Sequence, residues 1–298
     1  MRRQVASSGY RPRPFVKWAG GKRQMLPVVS GGMPESFGRY FEPFLGGGAL
    51  FFHVAPAGSK GGKNGRDGAP TFHISDLNRE LVLAYQMIRD RPEDLLRALH
   101  DHEAGYRADP ESYYYSVRDG HDPGSAGDID TASRLIFLNK TCFNGLYRVN
   151  SRGKFNVPLG RYANPTIADE QNVLAVSGIL NLNNVHVSCE DFGAVARKAR
   201  RGDFVYFDPP YMPVSRTASF TRYTCGDFGI EDQRRLADLC VTLDEMGCHV
   251  LLSNSDSGVI SEMFARDAWT VERVSANRCI SSDPGRRLGH TELLIRNY

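Results

Sequence analysis

The sequence predicts an α/β protein built on a doubly wound sheet, with a mainly helical segment inserted into it. Three observations carry the prediction. Short apolar runs rich in β-branched and aromatic residues alternate with helix-like patterns along most of the chain. That alternation lapses between about 90 and 178, where helical patterns give way to a stretch rich in Gly, Asn and aromatics. The chain has 298 residues, 41% of them hydrophobic and 24% charged, which suits one large domain plus a subdomain.

In chain order, residues 1–14 read as a loose basic tail carrying Arg2, Arg3, Arg11 and Arg13, without the apolar core of a signal peptide. The sheet domain is expected over 15–89 and 179–298, and the insertion over 90–178. Buried strands are expected at 39–44, 71–75, 185–188, 204–207, 249–253, 270–275 and 292–296. A helix over 77–89 gathers Leu81, Val82, Tyr85 and Ile88, with Asp76 or Asn78 as its cap. Another over 231–246 repeats Leu236, Leu239, Cys240 and Leu243 and stops at Gly247. Inside the insertion, 92–103 and 129–140 read as helices. The Gly- and Pro-rich stretch 56–70, with Lys60, Lys63 and Arg66, reads as a flexible surface loop.

Composition narrows the classes of function. No run of 18 apolar residues occurs, so no membrane span is expected. The cysteines Cys142, Cys189, Cys225, Cys240, Cys248 and Cys279 never form a C-x-x-C pair, which argues against zinc or disulfides and for a reducing cytosol. Net charge is +3, yet Thr131 to Ala168 contains no acid and holds Arg134, Lys140, Arg148, Arg152, Lys154 and Arg161. That segment alone carries +6 and leaves −3 for the remainder. A local basic surface on a near-neutral body fits a polyanion partner, the alternative being a solvated face that lacks acids.

Four short stretches carry candidate chemistry. Phe41-Glu-Pro-Phe-Leu-Gly-Gly-Gly48 feeds a strand into glycines at a helix start, which suits either a tight turn or close approach to a ligand. Asp76 ends the next strand, where an acid accepts from ribose hydroxyls or caps the following helix. In Lys17-Trp-Ala-Gly-Gly-Lys22, the lysine after paired glycines suits a carboxylate or phosphate, and Trp18 can cover an apolar ligand face. Asp208-Pro-Pro-Tyr211 ends an apolar run with an acid and two prolines, stiffer than a plain turn requires. With an adenosine held by the glycines and Asp76, this corner points to chemistry on an amine. The Asp208 carboxylate and the Pro209 carbonyl would accept the two N–H bonds of a nucleobase amino group and stabilise charge developing on its nitrogen. Pro210 stiffens the corner, and Tyr211 would stack on a base flipped from its duplex.

Taken together, Lys17–Lys22, Phe41–Gly48, Asp76, Asn139–Tyr162 and Asp208–Tyr211 resemble the Dam-type (class alpha, D12 class) DNA adenine-N6 methyltransferases in both content and order. The most specific piece is Asn144-Gly-Leu-Tyr-Arg-Val-Asn-Ser-Arg-Gly-Lys-Phe-Asn-Val-Pro-Leu-Gly-Arg-Tyr162; Ser219-Phe-Thr-Arg-Tyr223 and Cys279-Ile-Ser-Ser282 add to it. The resemblance implies a Rossmann-like sheet using S-adenosylmethionine, with the insertion as a target-recognition domain carrying a β-hairpin. It implies cofactor contacts at Trp18, Lys22, Glu42, Phe44, Gly46, Gly48, Asp76 and Asp208, and a catalytic pocket of Asp208, Pro209, Pro210 and Tyr211. It implies contacts to double-stranded DNA from Lys17, Asn139, Phe143, Asn144, Leu146, Arg148, Asn150, Arg152, Lys154, Pro158 and Arg161. Among these, Leu146, Arg148 and Pro158 match base-reading positions, and Phe143, where a Tyr is frequent, matches a stacking one. Family members with this Leu-x-Arg hairpin usually methylate adenine in GATC, and Arg suits guanine O6 and N7.

The expected reaction is direct in-line methyl transfer to adenine N6 with neither a metal nor a covalent enzyme intermediate. Cys142, Cys189 and Cys225 do not follow a proline as a cytosine C5 nucleophile would, and are read as packing residues. A cytoplasmic monomer is expected, with a restriction endonuclease as a functional counterpart in one setting. The rival readings are cytosine-N4 methylation and a non-catalytic DNA-binding protein of the same fold.

Overall fold

A computed structural model describes residues 10–18, 20–22, 24–58, 70–120, 127–211, 228–276 and 290–298. Among them seven strands form one sheet: β1 (Arg39–Glu42), β2 (Thr71–Asp76), β3 (Val185–Cys189), β4 (Phe204–Phe207), β5 (His249–Ser255), β6 (Thr270–Ala276) and β7 (His290–Arg296). The helices are α1 (Leu26–Gly31), α2 (Ala49–Gly58), α3 (Arg79–Asp90), α4 (Pro92–Ala108), α5 (Pro110–Asp119), α6 (Asp128–Thr141), α7 (Glu170–Leu180), α8 (Val195–Lys198), α9 (Ile230–Glu245) and α10 (Gly258–Met263). Each expected strand is present. No helix among the described residues is long and apolar enough to cross a membrane.

The sheet order is β3-β2-β1-β4-β5-β7-β6. β1 to β5 pair in parallel, and β7 runs antiparallel between β5 and β6. The chain therefore winds from β1 outward to β3, then returns to the other side of β1 to place β4 and β5. Such a reversal opens a crevice at the carboxyl ends of β1 and β4, where ligands bind in open α/β sheets.

Burial on both faces explains the apolar runs of β1, β4 and β5. Tyr40, Phe204, Tyr206 and Leu251 belong to one core, while their neighbours Phe41, Val205, Phe207 and Leu252 belong to the other. Fully burying one such side chain contributes roughly 1.5–3 kcal/mol. The first core takes Leu50 and Phe51 of α2 and Leu81 and Tyr85 of α3; the second takes Leu236 and Leu243 of α9. The Asn78 side chain accepts from the Leu81 N–H at 3.0 Å, so Asn78 rather than Asp76 caps α3.

The inserted helices add to the first core instead of closing one of their own. Leu95 and Leu99 of α4, Tyr114 of α5 and Phe137 of α6 are buried in it beside the α3 residues. The division drawn between 178 and 179 falls inside α7, whose Val173, Val176 and Leu180 lie in the same core. Beyond α6 the hairpin is present as two isolated antiparallel bridges, Cys142 to Leu159 and Val149 to Phe155. Of the stretch 56–70, α2 continues to Gly58 and residues 59–69 lie outside the described residues. So do residues 1–9 of the tail, Cys225, Ser219–Tyr223 and Cys279–Ser282.

Candidate active site

The Asp208 corner sits where the last residue of β4 delivers it, beside the switch from β1 to β4. Asp208 Oδ1 accepts from two donors, the Lys22 ammonium at 2.8 Å and the Ser253 hydroxyl at 2.8 Å. Oδ2 carries no partner among the described residues. The prolines are braced from α9: Gln233 Nε2 donates to the Pro210 carbonyl at 3.1 Å, and Gln233 Oε1 accepts from Asn254 at 3.0 Å. The Tyr211 hydroxyl accepts from Lys22 at 2.6 Å and donates to Glu292 Oε2 at 2.6 Å, while the Lys22 ammonium lies 4.5 Å from the Tyr211 ring centre. Burial raises the Asp208 carboxyl above its ordinary range, against the opposing pull of Lys22 and Ser253. Burial also raises the Tyr211 phenol well above its usual value, so it stays a neutral donor.

Two further acids close the crevice. Glu42, at the end of β1, is buried and accepts from the Tyr40 hydroxyl at 2.7 Å. Burial pushes it up to about 8, with the nearby Asp208 and Asp76 adding to the effect. Asp76, at the end of β2, accepts from the Gly46 N–H at 2.9 Å and the Asn78 N–H at 2.8 Å. Its carboxylate thereby ties the second strand to the glycine turn after the first. Burial raises Asp76 too, opposed by these N–H bonds. Beside the acids Phe44 stacks on Phe192 at 5.3 Å and meets Phe228 edge-on at 5.6 Å.

The glycines are crowded by the protein's own side chains. Gly46 has φ +50°, and a Cβ there would come 2.7 Å from the Trp18 ring. Gly48 has φ +69°, and its Cβ would meet the Tyr85 hydroxyl at 2.8 Å. Trp18 in turn stacks on Tyr147 at 5.3 Å, joining the N-terminal loop to the hairpin. Lys22 finds its carboxylates within the chain, at Asp208 and Glu292.

The hairpin residues divide into two groups. Phe143 is 41% exposed, and Pro158, Arg152, Lys154 and Arg161 are exposed as well. Leu146 and Asn144 are half-buried, Asn144 in the left-handed region at φ 55°. The Lys17 ammonium reaches the Tyr162 hydroxyl at 3.3 Å. Arg148 is bound back onto the hairpin: Nε donates to Asn156 Oδ1 at 2.7 Å and Nη2 to the Asn156 carbonyl at 3.1 Å.

Some expectations need correction. Asn139, placed with the DNA contacts, is buried, and its amide spans the Lys17 N–H and carbonyl and the Gly145 carbonyl at 2.7–3.0 Å. Every polar atom of that side chain is spent on backbone, so it clamps the loop and hairpin together. Asn150 Oδ1 accepts from the Arg152 and Lys154 N–H groups and shapes the turn. Arg134, counted in the basic surface, is buried and donates to the carbonyls of Val117 and Arg118. Cys142 packs as expected, but Cys189 is exposed.

Sequence reasoning missed Ser253, Gln233 and Glu292, all buried at the corner, and Asp191 and Phe192 just after β3. A signal existed for all but Gln233, which lies inside the helical pattern of α9. Ser253 and Glu292 are polar residues bordering the apolar runs of β5 and β7, and Asp191-Phe192 comes just after β3 much as Asp76 ends β2.

The family model described as D12 class N6 adenine-specific DNA methyltransferase matches residues 18–278. The chain is 40% identical over 289 residues to the Type II methyltransferase M1.LlaDCHI of Lactococcus lactis subsp. cremoris, covering 96% of this chain and 95% of the relative. It is 39% identical to the Type II methyltransferase M.MjaIII of Methanocaldococcus jannaschii, covering 96% of this chain and 99% of the relative. It is 31% identical to the DNA adenine methylase of Escherichia coli K12, covering 95% of this chain and 94% of the relative.

Proposed function

Because the chain belongs to the D12 class of N6 adenine-specific DNA methyltransferases, we propose that it methylates the adenine of GATC in duplex DNA, with S-adenosylmethionine as donor and Asp208 as the residue that activates N6. The observation that carries this reading is the state of Asp208. One oxygen is held by Lys22 and Ser253, and the other has no partner among the described residues.

The crevice fits the donor by its chemistry. Glu42, Asp76 and Asp208 end three adjacent strands, and three acids pushed up by burial suit a ligand bearing positive groups. In this reading Asp76 takes the ribose hydroxyls, Phe44 the purine, and Glu42 the methionyl ammonium, with Gly46, Gly48 and Trp18 shaping the turn and Lys22 aligning Asp208. When bound, S-adenosylmethionine supplies an electrophilic methyl on its sulfonium.

The protein's own part is to aim the acceptor nitrogen. Asp208 Oδ2 accepts one N–H of the flipped adenine and the Pro209 carbonyl accepts the other, which localises the nitrogen lone pair and stabilises charge developing there. Pro210 keeps the corner rigid, and the Tyr211 ring supplies a stacking surface for the flipped base. Phe143 fills the gap in the duplex, while Leu146, Arg148 and Pro158 meet base edges. Lys17, Asn144, Arg152, Lys154 and Arg161 face the phosphate backbone. The Type II names of two relatives favour a role in protecting DNA beside an endonuclease of the same site.

The test is to express the chain in a host lacking adenine methylation. Plasmid DNA should resist an endonuclease blocked by methylated GATC and be cut by one that requires it. Methylated adenine in the nucleoside digest with GATC left unmodified would overturn the site assignment.

A further inference from the structure

We propose that Glu292 is a positioning residue for methyl transfer: it fixes the Tyr211 hydroxyl and shares Lys22 with Asp208, so that Asp208 keeps its strength as an acceptor. The proposal rests on the reading that Asp208–Tyr211 is the catalytic corner.

Topology brings Glu292 there. Because β7 is antiparallel to β5, its early residues lie at the carboxyl edge of the parallel strands, with Glu292 opposite Ser255. The next residues, Leu293, Leu294 and Ile295, are buried apolar groups, and an apolar residue at 292 would simply extend the run. Instead the chain buries a carboxylate, only 6% exposed, at a desolvation cost of several kcal/mol unless it is well paired.

Its pairing is a closed ring of three groups, Lys22, Tyr211 and Glu292, with Asp208 joined to it through Lys22. Lys22 donates to Asp208 Oδ1 and to the Tyr211 hydroxyl, that hydroxyl donates to Glu292 Oε2, and Oε2 lies 3.5 Å from the Lys22 ammonium. Two consequences follow from this arrangement. The phenol hydrogen has one direction, so Tyr211 is held at its far end as well as by the prolines. One ammonium also serves two carboxylates, so Lys22 does not fully neutralise Asp208. A carboxylate that keeps its charge beside the adenine amine is the stronger hydrogen-bond acceptor.

The test compares Glu292→Gln, which keeps the shape and loses the charge, with Tyr211→Phe and their double variant. Single-turnover methyl transfer is measured at saturating donor and GATC duplex, across pH. Glu292→Gln should lower the rate roughly 10-fold while KM for DNA and donor stay within about 3-fold. Removing its negative charge should move the acid limb of the rate profile to lower pH, because that charge helps hold Asp208 up. The double variant should lose less than the product of the two single losses. Wild-type rate and an unmoved acid limb in Glu292→Gln would overturn the proposal. Asp208→Ala, run in parallel, separates the two readings. If it is inactive while Glu292→Gln behaves as wild type, this proposal alone fails; if it still transfers methyl, the assignment of the corner fails with it.

Discussion

The Asp208 corner and the 142–162 hairpin both depend on cations, yet they hold them in opposite ways. Lys22 is 5% exposed and saturated, with Asp208, Glu292, Tyr211 and the Gly20 carbonyl around one ammonium. Arg152, Lys154 and Arg161 are exposed and make no ion pair among the described residues. At the corner, burial strengthens each charge–charge contact and fixes its geometry. On the hairpin, water and salt screen every contact, and cations without protein partners remain available to phosphates. Arg148 stands between these limits, half-buried and bonded to Asn156 on its own hairpin. Chemistry and reading thus ask opposite things of the same residue types, and the fold separates them by depth.

The hardest test of that contrast is Asp208→Ala. Single-turnover incorporation of tritiated methyl should fall by about 10³-fold or more, while DNA affinity by fluorescence anisotropy changes little. Undiminished incorporation would break the contrast at its buried end. Glu42 gives the next effect, read as stability. Its carboxyl titrates at about 8 in the folded protein, against an ordinary value of 4.5 once the chain unfolds. A raised folded value means its contribution is complete below about 4.5 and is lost as pH rises through about 8. Denaturant titrations of the free protein should therefore show stability declining across that window. Glu42→Gln should flatten the slope, an effect on the order of a few kcal/mol; an unchanged slope would count against the buried acid.

At the exposed end the effects are smaller. Arg148→Ala should cost about 1–3 kcal/mol of discrimination at one base pair, seen as relaxed preference across a duplex library. Lys154→Ala should weaken all DNA alike and reduce the slope of log affinity against log salt by about 1. A sequence-dependent loss from Lys154→Ala would blur the line between reading and phosphate contact.

β1, β4, β5 and β7 were legible because they are buried on two faces, and such strands announce themselves as short apolar runs with turns between. Asp208 and Asp76 were legible for a related reason: each stands at the end of such a run, whereas Glu42 lay inside the expected strand 39–44 and came from the family resemblance alone. Asn139 misled because it belongs to the 139–162 segment that resembles the family's DNA-contacting piece, and nothing local shows that Lys17, more than a hundred residues earlier, consumes its amide.

By itself the sequence determined which segments become strands, that an acid stands at the end of β2 and another directly after β4, and that two prolines stiffen the second of these, since all of this is local pattern and backbone restriction. Only the tertiary structure decided which partners those acids receive. Lys22, Ser253 and Glu292 come from three distant parts of the chain. They meet because the sheet reverses direction at β1 and closes with an antiparallel strand, and no local pattern specifies contacts across such a distance.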